Sequence, residues 1–347
     1  MSITPFTVHV AQETLDDLRA RLAQTRWPDA VSSGWEYGTA PGYLRELVAY
    51  WQDGFDWRAQ EAKLNQWAHY RVEIDGVGIH CIHERGAGDH PLPLLLLHGW
   101  PSSFLQMLNI IPMLTDPARY GGDAADAFDV IVPSLPGYGF SDRPTQPGMS
   151  VWRMADLMVG MIQELGYPRY ALRGSDIGAG VAWQMALASP QAVIGYHFSG
   201  ATPPYATLPV QDLTEAEQRF MMAGQQWAQR EGAYAMLQST KPQTLAYGLH
   251  DSPAGLAAWI VEKFRTWSDC EGDVERRFSK DELLTNITLY WVTGTINSSI
   301  RVYYENVHTS RPLADRRVEV PTAIAILPQD LLPPVRAWEE RWYNLHR

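Results

Sequence analysis

The chain has 347 residues, 46% hydrophobic and 19% charged, a globular balance that excludes intrinsic disorder as its main state. Its 28 basic and 39 acidic side chains leave a net charge of −11, which disfavours nucleic acid and anionic membranes as partners, because phosphate binding needs clustered Lys and Arg. Two distant cysteines, Cys81 and Cys270, cannot build a disulfide framework or a thiolate zinc site, and the longest apolar run, Leu256–Val261, is far short of the roughly 18 residues a spanning helix needs.

Residues 1–68 read as helical and irregular, without strand alternation. Leu15, Leu18 and Leu22 recur at helical spacing behind Thr14, which is placed to cap, and Pro28 with Ser32–Gly34 breaks the pattern. Tyr43–Trp51 predicts a second helix, and Phe55-Asp56-Trp57-Arg58 opens a third that ends near Trp67. Tyr70–Ile74 and Gly78–Glu84 flank Asp75-Gly76, a hairpin signal. Leu92–Leu97 is wholly apolar, as expected of a buried central strand, and Phe128–Val132, Arg169–Arg173 and Ala192–Phe198 are further strands. Helical stretches lie between them at Ser103–Leu114, Val151–Leu165 and Gly178–Ala188, an alternation that predicts a mostly parallel sheet covered on both faces. From about 203 to 310 the alternation stops. Gln211–Glu231, Pro253–Ser268 and Lys280–Thr295 predict helices rich in Trp, Tyr and Met, an insertion that caps the sheet before strand character returns at Val318–Leu327. The domain division expected is 1–68, then a core of 69–202 with 311–347, then a lid of 203–310. No basic stretch followed by an apolar core opens the chain, so no secretory signal is read and a cytoplasmic location is expected.

Chemistry concentrates in three loops, each after a strand. Gly174-Ser175-Asp176-Ile177-Gly178 has the pattern of a nucleophile elbow with Asp at its centre. An ionised carboxylate at a helix N-terminus attacks carbon without a base to activate it. The plainer reading of Asp176 is an N-cap. His98-Gly99-Trp100-Pro101 follows the apolar strand, where a backbone N–H, that of Trp100, supplies half of an oxyanion hole; the N–H of Ile177 supplies the other half. Pro133-Ser134-Leu135-Pro136-Gly137-Tyr138-Gly139-Phe140-Ser141 is the third loop. No metal cluster and no phosphate loop occurs, so no cofactor is implied. The 14 Trp, 16 Tyr and 9 Phe suit a large apolar pocket or an aromatic core equally.

In these motifs the sequence resembles the α/β-hydrolase-fold epoxide hydrolases, in particular the branch related to microsomal and juvenile-hormone epoxide hydrolases. The resemblance runs through nearly the whole chain. Pro5-Phe6, Trp27-Pro28, Phe55-Asp56-Trp57-Arg58 and Leu64-Asn65 are similar to the N-terminal meander of that branch. Thr240-Lys241-Pro242, Asp251–Ala258, Glu262-Lys263-Phe264, Thr293–Ile296 and Ser298–Tyr303 are similar to its lid. The resemblance implies an α/β-hydrolase fold with a helical lid and an N-terminal meander, a small apolar epoxide as substrate and water as cosubstrate. It implies Asp176 as nucleophile, Tyr303 and Tyr234 as proton donors to the alkoxide, and Asp330 as the acid that orients a base, with Glu339 and Glu340 as alternatives. A phenol with a pKa of about 10 is protonated at neutral pH and can protonate a far more basic alkoxide.

One feature of the family is missing. Its catalytic His follows the last strand, yet of ten histidines only His346 follows Asp330. His346 falls where that strand begins, at the wrong end of the sheet and about 15–20 Å from the site at ~3.3 Å per residue. His98 instead orients its loop. The expectation is a chain lacking the last strand and helix, with an open sheet edge that favours aggregation or a homo-oligomer. Ester formation without turnover follows. Three other readings remain: a haloalkane or haloacid dehalogenase, which needs halide donors where Ile177 stands; a serine esterase, disfavoured because Ser175 is off-centre; and a ligand-binding protein on a hydrolase fold.

Overall fold

The computed structural model describes residues 2–200, 212–310 and 316–347. The expected junctions at 202–203 and 310–311 and the start of the expected helix at Gln211 touch residues outside that set.

The chain opens with strand β1 (Ile3–Pro5), which sequence alternation did not announce. It pairs antiparallel with a later strand, and Pro5 is tolerated because it lies on the outermost strand. Helix α1 (Gln12–Ala23) starts two residues before Thr14; Ala11 is its N-cap, with no side-chain cap, so Thr14 lies inside the helix. Helices α2 (Pro41–Asp53) and α3 (Trp57–Leu64) follow, the latter capped by Asp56 accepting from the Ala59 N–H at 3.1 Å. Strands β2 (His69–Ile74) and β3 (Val77–Glu84) form the expected hairpin, with Asp75 and Gly76 at φ 49° and 75°. Positive φ at both turn residues matches the right-handed twist of the strands.

Strand β4 (Leu92–Leu97) is followed by a 3₁₀ stretch at Phe104–Ile110 and only a short α4 (Ile111–Thr115), where one α-helix was expected. Strand β5 (Phe128–Pro133), α5 (Val151–Glu164), β6 (Tyr170–Ser175), α6 (Ile177–Ala188) and β7 (Val193–Ser199) complete the alternation. Six helices then precede the next strand among the described residues: α7 (Glu215–Glu231), α8 (Ala233–Thr240), α9 (Pro242–Asp251), α10 (Pro253–Thr266), α11 (Lys280–Thr293) and α12 (Ile296–His308). Strand β8 (Val318–Ala325), a single turn α13 (Arg336–Glu339) and β9 (Tyr343–Leu345) close the chain. No helix among the described residues is long and apolar enough to cross a membrane.

The nine strands lie in the order β1-β2-β3-β5-β4-β6-β7-β8-β9. From β5 to β9 every pairing is parallel. The chain goes from β4 outward to β5 and then across β4 to β6, which makes the β4–β6 boundary a topological switch point. Leu97 pairs with Gly174, so the loops after these two strands leave the sheet side by side. The edge of β8, expected to be open, carries β9.

The first three helices brace the lid. The Trp51 indole donates to Thr288 Oγ1 at 2.9 Å, Tyr50 OH to Asp281 at 2.8 Å, and Thr39 Oγ1 to the Ala258 carbonyl at 2.7 Å. Fixing one end of the chain on helices more than 200 residues away makes the lid part of the core.

Candidate active site

Asp176 sits on the turn between β6 and α6 with φ 52° and ψ −128°, a conformation that a non-glycine residue holds only under constraint. Gly174 and Gly178 make the turn possible. A Cβ on Gly178 would lie 2.3 Å from the Leu97 carbonyl oxygen, and one on Gly174 would lie 2.5 Å from that of Gly178. Gly99 is a third: its Cβ would lie 2.3 Å from Asp176 Oδ1. The backbone of the β4 loop thus closes directly onto the carboxylate. The Trp100 N–H donates to Asp176 Oδ1 at 2.8 Å, and the Ile177 N–H also donates to the Asp176 carboxylate.

Asp176 lies deep in the protein, yet more than a third of its surface is open, so it faces a recess. Depth raises its carboxyl above the ordinary carboxylate range, and the two N–H groups pull in the opposite direction.

The lid brings two phenols to the same place. Tyr234, on α8, stacks parallel on Trp100 at 5.4 Å between centroids, and Tyr303, on α12, meets Trp100 edge-on at 5.9 Å. The two tyrosine rings are 5.9 Å apart and their side chains share a hydrogen bond. Burial, then the neighbouring Tyr234 and the charge of Asp176, hold the Tyr303 phenol well above its usual range, so it keeps its proton. The neighbouring Tyr304 is exposed and stacks on His308 instead.

Several residues to which the sequence assigns no role of their own set this geometry. Asn286 on α11 donates to the Pro101 carbonyl at 2.8 Å and accepts from Ser103 Oγ at 2.8 Å, while Tyr290 OH donates to the Ser102 carbonyl at 2.7 Å. Ser298 Oγ donates to the Gly137 carbonyl at 2.6 Å and Tyr138 OH to that of Ser299 at 3.1 Å. The lid is therefore stitched to both loops that flank Asp176. Trp267, 4.8 Å from Tyr234 and 6.3 Å from Trp100, completes the aromatic wall. Its one sequence signal was the aromatic load of the lid.

Among the described residues, no hydrogen bond joins Asp330 to Asp176. Asp330 follows β8 in a turn at the same end of the sheet, with its carboxylate taking the N–H groups of Leu331 (2.8 Å) and Leu332, and burial raises its carboxyl. Glu339 is buried next to Trp338, and Glu340 is bound to Arg336 at 2.7 Å on the surface. His98 is fully buried, faces the Gly99 carbonyl with Nδ1 and accepts from the Leu135 N–H with Nε2 at 3.2 Å. Burial pushes it down to about 4, so it is a neutral strut between two loops. His346 is exposed, and its N–H donates to the Thr322 carbonyl. It therefore lies part-way along β8, nearer the carboxyl end than a full strand length, because the register shifts between Val318 and Pro321. It is still three strands from β6, about 14 Å at ~4.8 Å per strand.

Residues 3–107 match the family model described as epoxide hydrolase N terminus, and residues 93–262 match that of the alpha/beta hydrolase fold. A Stigmatella aurantiaca protein whose name carries the words epoxide hydrolase is 43% identical over 343 residues, covering 99% of this chain and 78% of its own. Epoxide hydrolase 1 of Sus scrofa is 36% identical, covering 99% and 82%. The crystal structure of juvenile hormone epoxide hydrolase from the silkworm Bombyx mori superposes with a TM-score of 0.84 at 32% identity, covering 99% of this chain and 86% of that one.

Proposed function

The chain belongs to the epoxide hydrolase family, and from that premise we propose how its own residues act on an epoxide and water. Asp176 is the nucleophile. One carboxylate oxygen forms a C–O bond to an epoxide carbon as the ring C–O bond breaks, and the electron pair goes to the ring oxygen. Tyr234 and Tyr303 hold that oxygen and give it a proton, leaving a hydroxyalkyl ester on Asp176. Water, giving up a proton to a base, then attacks the ester carbonyl; the N–H groups of Trp100 and Ile177 bind the oxyanion that results, and its collapse breaks the bond from the carbonyl carbon to the alkyl oxygen, which takes a proton and leaves as the diol while the Asp176 carboxylate is restored. The observation that carries this reading is the strained, N–H-held carboxylate of Asp176 beneath two hydrogen-bonded phenols. Asp330 is the acid that would orient a base for the second half. The ester on Asp176 is the intermediate that a test of this reading has to find.

The test is the intact mass of the purified chain after incubation with styrene oxide, followed by peptide mapping. A stable gain of one epoxide on Asp176, absent in Asp176→Asn, supports the reading. An unmodified chain that also yields no diol overturns it. Because depth raises the Asp176 carboxyl, the labelling rate is expected to fall on acidification with a midpoint above about 4, the ordinary carboxylate value.

A further inference from the structure

Lys263 takes no part in the steps above, yet it stands directly behind them. Its side chain is 9% exposed, whereas lysines normally keep the ammonium in water. The ammonium lies 5.2 Å from the centroid of the Tyr234 ring and 5.2 Å from that of Trp267. Its counter-charges are Glu262, 2.5 Å away on the same helix, and Glu231, 3.5 Å away at the end of α7. Burying an ammonium is costly unless it is paired, and this one is paired on one side and presented to two aromatic faces on the other.

Tyr234 and Tyr303 share a hydrogen bond, so they differ in what lies behind each ring. Tyr303 faces Tyr234, Asp176 and Tyr138, all neutral or negative. Tyr234 has a cation behind it. Among the described residues, charged and titratable groups around Tyr234 include Lys263 and Glu262 from α10, Glu231 from α7, Tyr303 from α12 and, beyond Tyr303, Asp176. Helix α9 sends Tyr247 and His250 to an outer groove that Arg143 and Arg301 also line.

We propose that Lys263 is a positioning residue for ring opening, its ammonium pinning Tyr234 against Trp267 and stabilising the phenolate left when Tyr234 gives its proton to the alkoxide. Tyr234 is then the proton donor of the pair, and Tyr303 orients the oxygen by its hydrogen bond. The step balances: the carboxylate–carbon bond forms, the ring C–O bond breaks, the alkoxide takes the phenolic proton, and the phenolate later regains a proton from water. The inference rests on the role given to Tyr234 above.

The experiment is single-turnover labelling of the 347-residue chain by styrene oxide across pH, for the native chain, Lys263→Met and Lys263→Arg. Removing the cation also leaves Glu231 and Glu262 uncompensated, and both changes disfavour the phenolate. Lys263→Met is expected to slow labelling at neutral pH by about three- to tenfold and to move the alkaline limb of the profile up by about one pH unit, while Lys263→Arg stays close to native. A folded Lys263→Met chain with native rate, or with a slower rate and an unmoved alkaline limb, overturns the proposal. Glu231→Gln covers the case of a Met variant that does not fold: loss of that carboxylate is expected to move the alkaline limb down, and an unmoved limb overturns the proposal. If the native chain is neither labelled on Asp176 nor yields diol, the reading of the site fails; if it reacts and Lys263 and Glu231 have no effect on the limb, this inference alone fails.

Discussion

The two walls of the recess are built by opposite means. The sheet wall is backbone: Asp176 is held by a strained turn, by two main-chain N–H groups and by three glycines, Gly99 and Gly178 letting the β4 loop close on the turn and Gly174 letting β6 close on the start of α6. The lid wall is side chain: Tyr234 and Tyr303 are held by ring contacts with Trp100 and Trp267 and by helices stitched to the loops through Asn286, Tyr290 and Ser298. Backbone cannot yield to an added atom, whereas packed side chains can shift by a rotamer. The sheet wall should therefore be brittle and the lid wall adjustable.

The largest effect tests the brittle side. Gly178→Ala puts a Cβ 2.3 Å from one carbonyl oxygen and 2.5 Å from another, both backbone. Displacing Asp176 by about 1 Å costs on the order of 10²-fold in rate, and the overpacking costs about 1–3 kcal/mol in stability. Labelling by styrene oxide is expected to fall at least a hundredfold, with a lowered denaturation midpoint. Near-native labelling would mean the elbow relaxes and the contrast between the walls is lost.

The next effect is on the lid. Tyr234→Phe is expected to slow labelling by roughly 100-fold and Tyr303→Phe by roughly tenfold, and the double variant should lose more than the product of the two, because neither phenol is left to serve the alkoxide. Rates from intact-mass time courses decide it. Equal single effects would make the two phenols interchangeable, and a double variant that matches the worse single would leave only one of them in the reaction.

The same division explains what could be read in the sequence. Requirements of the main chain are local and leave marks at fixed spacing. Asp75-Gly76 marks the hairpin, and Gly174 and Gly178 around Asp176 mark the elbow; the structure has both turns where those residues stand. Requirements of packing are not local. Helices α8 and α9 were unmarked because each is short and its buried face meets partners from elsewhere in the chain. Helix α12 was noticed only as a run of resemblance, Ser298–Tyr303, although Ile296, Ile300 and Val302 are buried. Lys263 looked like one letter of a motif, since nothing in its neighbourhood says that Glu231, Tyr234 and Trp267 converge on it. Strand β1 leaves no alternation because three residues are too few to show one, and Thr14 offers the nearest capping side chain because the true cap position, Ala11, has none.

The smallest expected effect checks that glycine as such is not what makes the sheet wall brittle. Gly248 lies inside α9, exposed, at negative φ, and a Cβ there meets nothing within 4 Å. A glycine inside a helix costs roughly 0.5–1 kcal/mol relative to alanine through the backbone freedom of the unfolded chain. Gly248→Ala should therefore raise stability by an amount of that size, read as a higher denaturation midpoint, and leave the labelling rate of Asp176 unchanged. The same chemical change, one added methyl group, then has opposite signs in the two halves of the molecule. The difference lies in what the methyl meets: the Leu97 and His98 carbonyl oxygens at Gly178, and open space at Gly248. A drop in labelling on Gly248→Ala would instead tie ring opening to the mobility of α9, and the lid wall would have to be treated as a moving part.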